Sequence, residues 1–176
     1  CQVGNDCLLE GVRFAAHTVV EREAVLFDVG SITCSQAAVF GCGQDLPIAC
    51  ETGGRELPVW AELDVDSAAQ VARFRADHAG QAEVRAAVGR YVEAVRSPVS
   101  WVRRGAVVRH TDRIRDVYLG PGAVVDHALD LTDVAVLSDL DERTVVEGGA
   151  SVHSAVLQWG VKVSGNAIVR HAVLLE

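Results

Sequence analysis

The sequence predicts a mainly β fold, a chain wound into three-sided coils of about 17 residues and interrupted once by an inserted α-helical hairpin. Three observations carry this. Aliphatic residues recur 17 apart: Val102, Val108 and Ile114 precede Leu119, Val125 and Leu131, and Val146, Val152 and Leu157 precede Val163, Val169 and Leu174. The steps inside each repeat are five or six. That suits neither a helix, which buries every third or fourth residue, nor an ordinary strand, which buries every second. Finally, Gly, Asn and Asp follow the aliphatics in "VGND" (3–6), "LGPG" (119–122), "VEGG" (146–149) and "VSGN" (163–166). A chain that turns a corner after each inward residue needs unusual φ there.

Residues 1–46 read as the first block of coils, in which Val3 and Leu9 recur as Val20 and Leu26 with Phe14 between them. Small residues stand four after an aliphatic (Cys7, Ala106, Ala123, Ala150, Ala167) and would fill the tight interior corner. Residues 47–65 hold a charged, glycine-rich loop bracketed by Pro47 and Pro58. Residues 66–97 read as a helical hairpin: Asp66 is the expected N-cap, His78 ends the first helix, and Gly80 separates the two. Val84, Val88, Tyr91, Val92 and Val95 then form one apolar stripe, and Ser97-Pro98 stops the second helix. Residues 98–176 form the second block, with about ten extra residues within 132–145 expected as a projecting loop. Both ends fall inside the repeat, whereas repeat arrays need capping units. The expectation is a piece of a longer protein.

At 176 residues the chain can bury one sizeable core. Apolar residues reach 49% with only 5% aromatic and no Met, so that core is built from small and β-branched side chains. A net charge of −8 argues against nucleic acid or an anionic membrane as the main partner. No apolar run of about 18 residues and no signal peptide are visible, so a cytoplasmic location is expected. The five cysteines form no CxxC pair, and the eight-residue spacing of Cys34, Cys42 and Cys50 is not that of a zinc site. They read as buried thiols of a reduced compartment.

Three pieces, "ETGGRELPVWAELD" (51–64), "RYVEAVRS" (90–97) and "RIRDVYLGPGAVVDHA" (113–128), in their order and spacing, resemble a family of large bacterial hexapeptide-repeat proteins, a domain of unknown function often labelled transferase-like. The resemblance covers nearly the whole chain, and the family's members are longer. It implies a left-handed parallel β-helix. The handedness comes from hexapeptide proteins, not from the spacing, since ordinary parallel crossovers are right-handed. By wider analogy it implies acyl-CoA or nucleotide-sugar chemistry, acetyl-CoA as a donor, and a homotrimer with the donor in a groove between subunits.

Two places can carry chemistry. In the loop, Gly53 and Gly54 can expose consecutive N–H groups to an anion. Arg55 can grip a phosphate or carboxylate, and Glu51 and Glu56 can act as base, metal ligand or acceptor of a sugar hydroxyl. The alternative is a tight turn with Arg55 paired to Glu51 or Asp45. The second place is a histidine row. His110, His127 and His171 each stand two after an inward Val, as does Ser154. Coils stack about 4.8 Å apart, which makes His110 and His127 neighbours. The resemblance to hexapeptide acyltransferases, which use a His to deprotonate a sugar hydroxyl or amine, implies a general base here. The alternative is a polar ladder at a solvated corner. No metal is expected, because two stacked imidazoles lack a third ligand. Trp60 and Trp101 are expected to pack the helical insert onto the coils. Two functions follow: transfer of an acyl or nucleotidyl group to a sugar or nucleotide-sugar, with His127 or His110 as base, or a non-catalytic scaffold or binding module. Nucleotidyl transfer is the weaker branch, since a separate basic, glycine-rich nucleotide loop is absent.

Overall fold

The chain is described by a computed structural model covering residues 1–48, 56–74 and 76–175. The elements, in order, are β1 (Gln2–Val3), β2 (Leu8–Glu10), β3 (Phe14–Ala15), β4 (Thr18–Val20), β5 (Val25–Thr33), β6 (Asp45–Pro47), β7 (Glu56–Pro58), α1 (Val65–Arg73), α2 (His78–Val95), β8 (Ser100–Val102), β9 (Val107–Leu119), β10 (Val124–Asp126), β11 (Asp130–Val136), β12 (Val145–Glu147), β13 (Ser151–Leu157), β14 (Lys162–Val163) and β15 (Ile168–Leu174).

Thirteen of these strands join one large, open sheet whose pairings are all parallel. Its register reproduces the sequence repeat. Val107 lies beside Val124, Ile114 beside Leu131, and Val152 beside Val169, each 17 residues on. Two departures mark where extra chain is accommodated. Thr18 pairs with Ser100, so everything from residue 34 to the end of α2 is inserted within a single level. Val125 pairs with Val146 and Leu131 with Val152, offsets of 21. Only four extra residues are therefore present there, not about ten. β11 continues in register to Val136, and the surplus falls after it.

The aliphatics that set the repeat form the core. Leu26, Ile32, Val102, Val108, Ile114, Leu119, Val125, Leu131, Val146, Val152 and Leu157 are all fully buried, as are Ala24, Ala106, Ala123 and Ala150. With every inward position taken by a one- to four-carbon side chain, stacked levels approach closely and interdigitate. The first level departs from this. Val3, Leu9 and Phe14 are 53%, 42% and 58% exposed, since β1, β2 and β3 each have a neighbour on one side only among the described residues. Phe14 is also out of phase: Ala15, not Phe14, aligns with inward Ile32.

Residues in the left-handed region recur both within the strands and between them. Along β8 to β11 these are Gly105, His110, Asp116, Gly122, His127 and Asp133, with φ between 49° and 68°. Their steps of five and six are those of the buried aliphatics. Asp and His tolerate this conformation better than most residues with a Cβ, so non-glycine residues can occupy it in row after row.

The insert begins once β5 ends at Thr33, earlier than the expected end of the first coil block at 46. Cys34, Ala38, Phe40 and Cys42 pack with Val59, Ala61, Ala135 and Val156 in a second apolar cluster outside the main core. β6 and β7 pair antiparallel as a separate two-stranded sheet. Helix α1 is capped by Asp64, whose carboxylate accepts from the Ser67 N–H at 2.6 Å; Asp66 sits in the first turn. An N-cap must have extended backbone and reach the N–H two or three residues on, which Asp64 satisfies at φ −111°. Asp77 caps α2 by accepting from the Gly80 N–H. His78 therefore begins α2, and Gly80 lies inside it. The stripe is oriented as expected, with Val88 buried and Val84, Tyr91, Val92 and Val95 partly buried. Trp101 and Tyr91 line one cavity between insert and sheet. No helix of the described residues is long and apolar enough to cross a membrane.

Candidate functional site

Register alone assembles the histidine row. Phe27, Arg109 and Asp126 align on β5, β9 and β10, so the residues that follow them, Asp28, His110 and His127, occupy one turn position at successive levels. All three adopt positive φ, 52°, 49° and 54°. Fixed in this way, the two imidazoles lie side by side with ring centroids 4.4 Å apart, tilted by 36° to one another. Each ring also has a carboxylate at Nδ1. His110 Nδ1 lies 3.1 Å from Asp28 Oδ2, and His127 Nδ1 lies 2.8 Å from Asp126 Oδ1. A carboxylate at Nδ1 favours the tautomer with the proton there, leaving Nε2 with a lone pair. Phe27 supports His110 edge-on at 5.4 Å. The second oxygen of Asp126 accepts from Arg109 Nη2 at 2.7 Å.

His171 does not join this row. It follows Val169, which stacks on Val152, whereas His110 and His127 follow Val108 and Val125. Every level has more than one inward aliphatic, so "two after an inward Val" describes more than one turn. His171 aligns with Ser154, both at positive φ. The two residues missed from sequence are Asp28 and Asp126. Asp28 was findable, because it stands two after inward Leu26, as His110 does after Val108. The long insertion between them hid that they are neighbours.

Of the loop residues, Glu51, Gly53, Gly54 and Arg55 lie outside the described residues. Glu56 opens β7, and its backbone carbonyl accepts from Arg85 Nη2 at 3.1 Å. Arg85 also donates to Asp45 at 2.7 Å, so Asp45 is engaged by helix α2. Glu56 belongs to the two-stranded sheet, whereas His110 lies in β9 of the large sheet and His127 directly follows β10.

A concave feature lies between α2 and the large sheet, a cavity of about 320 Å³ whose lining includes Phe40, Tyr91, Trp101, Arg103 and Tyr118. The Arg103 guanidinium lies 5.2 Å from the Trp101 ring centroid and 5.8 Å from that of Tyr118, with Glu21 3.2 Å away. Burial pushes the Cys42 thiol beside it up to about 12 and raises the Tyr91 phenol. Cys34 is raised as well, chiefly by burial. Protonated thiols of this kind are packing groups, not nucleophiles.

The fold and site thus define a mainly β, parallel-sheet module that presents two carboxylate-paired imidazoles on one turn row. The chain belongs to the family described as a domain of unknown function, DUF4954, whose model matches residues 1–174. It is 22% identical over 174 residues to an uncharacterized protein of Treponema pallidum (strain Nichols), covering 93% of this chain and 24% of that protein. The chain therefore spans about a quarter of the relative's length. No solved structure matches.

Proposed function

We propose that this chain is a left-handed, three-sided parallel β-helix of the hexapeptide type, and that its histidine row serves a transferase-like reaction. The 17-residue parallel register and the left-handed residues recurring every five or six positions support the architecture. One observation carries the chemistry: two adjacent imidazoles, each with Nδ1 on a carboxylate. In acyl transfer, Nε2 of His127 or His110 takes the proton of a sugar hydroxyl or amine. The acceptor atom bonds to the acyl carbon, the C–S bond of acetyl-CoA breaks, and the proton passes to the departing thiolate. The loop from Glu51 to Glu56 is the proposed contact for an anionic group of the sugar or nucleotide-sugar. A homotrimer would supply a donor groove between subunits.

The test uses the full-length protein with acetyl-CoA and sugar or nucleotide-sugar acceptors. A ligand at 100 times its Kd stabilises by about 2.7 kcal/mol, which a thermal shift reads directly. His127→Gln or His110→Gln is expected to lower thiol release by about 10²–10⁴-fold while the ligand-induced shift persists. Arg55→Ala is expected to remove the shift and leave the unliganded melting point unchanged. If no donor or acceptor stabilises the protein and no thiol is released, the transfer reading fails. The second reading, a rigid scaffold or binding module, then stands. It is favoured by the openness of the site, where the His127 side chain is 66% exposed.

A further inference from the structure

We infer that His110, Asp126 and His127 form a binding site for a divalent ion of the zinc class. The inference rests on the reading of this row as functional, but not on transfer chemistry. Each of the three residues places a ligand atom within 4.8 Å of those of the other two. Sequence spacing offered only the two stacked imidazoles. The structure adds Asp126 as the third donor.

The donor set selects the ion. Two imidazole nitrogens and one carboxylate oxygen suit Zn²⁺, Co²⁺ or Ni²⁺, whereas Mg²⁺ and Ca²⁺ require oxygen ligands. One of the three separations is already close to that of a coordination shell, and the other two lie within 4.8 Å. Two ligands at about 2.0–2.1 Å from one zinc ion lie roughly 3.0–3.4 Å apart, and Asp126 Oδ1 and His127 Nδ1 are 2.8 Å apart. A small opening lets an ion replace the proton these atoms share.

The surrounding groups already do what an outer shell does. Asp28 holds His110 at Nδ1, which orients the ring and leaves its other nitrogen for the ion. Arg109 holds Asp126 through Oδ2, leaving Oδ1 toward His127. Arg109 and Asp126 are paired sheet residues, and His110 and His127 directly follow them in fixed left-handed turns. Little conformational freedom is left for an ion to remove. With three protein ligands and His127 largely exposed, the remaining coordination positions face solvent. An ion bound here would occupy His110 through the nitrogen that Asp28 leaves free, so loading would suppress His110 as a base.

The experiment is calorimetric titration of the metal-free chain with ZnCl₂ alone, in a Cys1→Ser, Cys7→Ser, Cys50→Ser background that removes the exposed and half-buried thiols of the described residues together with Cys50, which lies outside them. Saturable binding of about one ion per chain is expected. His110→Ala, Asp126→Asn and His127→Ala should each weaken it at least tenfold, and Asp28→Asn by about 10–100-fold. MgCl₂ should give no saturable binding. Circular dichroism of each metal-free variant checks its fold. For a variant that fails this check, the Co²⁺ visible spectrum of the parent replaces it, with intense d–d bands expected. Absence of saturable zinc binding, a Co²⁺ spectrum equal to that of the hexaaquo ion, or binding retained in folded His110→Ala/His127→Ala overturns the proposal. Transfer assayed in chelator is a separate readout. Activity there without zinc binding sinks the metal site alone, and zinc binding without any transfer sinks the transfer reading alone.

Discussion

Leu131→Ala tests whether the register, and not hydrophobicity in general, holds this chain together. Leu131 is fully buried. It lies between Ile114 on one side and Val152 on the other in the parallel ladder. Truncation removes its apolar contacts and leaves a cavity between two fixed levels, because neither neighbouring strand can move without breaking its own pairing. Buried Leu→Ala substitutions cost about 2.7–5 kcal/mol when the surroundings relax only partly. For a chain of this size, at about 2–4 °C per kcal/mol, the melting point should fall by roughly 5–20 °C. Leu129→Ala is the control. It is the same change two residues earlier, at a side chain 60% exposed, and should move the midpoint by under about 0.5 kcal/mol. Urea unfolding of the two variants, followed by circular dichroism with the m-value checked for constancy, reads both. Equal losses, or a loss at Leu131 below about 1 kcal/mol, would refute the inward assignment and the stacking built on it.

Gly41 sits at φ +77°, and a Cβ there would lie 2.7 Å from the Ala155 carbonyl oxygen. Gly41→Ala should therefore destabilise by more than about 1 kcal/mol, with hydrogen exchange rising first around residues 38–44. Gln158 donates to the carbonyls of Ala61 and Leu63 at 2.9 and 2.8 Å. Gln158→Leu should cost about 1–3 kcal/mol and loosen the approach to α1, read as faster amide exchange in residues 60–67. Cys42 has a folded pKa raised to about 12 from an ordinary 9.0. Above pH 9 the unfolded chain therefore releases the thiol proton while the folded chain keeps it. Stability is full below pH 9 and falls as pH rises toward 12, at most roughly 1.4 kcal/mol per pH unit from this group. A stability–pH profile should be shallower over that window in Cys42→Ala, and identical slopes would contradict the assignment. Among the four described cysteines, Cys1 should react readily with a thiol reagent, whereas Cys34 and Cys42 should react only on unfolding, as peptide mass spectrometry would show.

Much of the architecture was legible because a stacked repeat writes its period into the sequence. Val108, Val125 and their equivalents must be aliphatic at every level, and Ala106, Ala123 and Ala150 must be small. Spacing alone therefore identified the parallel register and most of the core. It also brought His110 and His127 together correctly, since residues 17 apart are neighbours whenever no insertion intervenes. The failures share one cause. A periodic rule cannot say how many residues leave the stack, so the surplus after Val136 was overcounted. It cannot say which turn of a level a residue occupies, so His171 was grouped with the wrong row.

By itself, then, the sequence determined the repeat, its inward residues and the helical stripe of the insert, because each is a local periodicity enforced by burial. Only the tertiary structure decided that Asp28, 82 residues from His110, is its partner, that Asp126 turns a pair of imidazoles into three converging donors, and that Cys42 is buried in the second apolar cluster, against which Tyr91 and Val92 of α2 pack. The first of these depends on which levels become neighbours once 65 surplus residues are looped out between β5 and β8. The pattern on either side of an insertion does not reveal across which gap the next pairing forms.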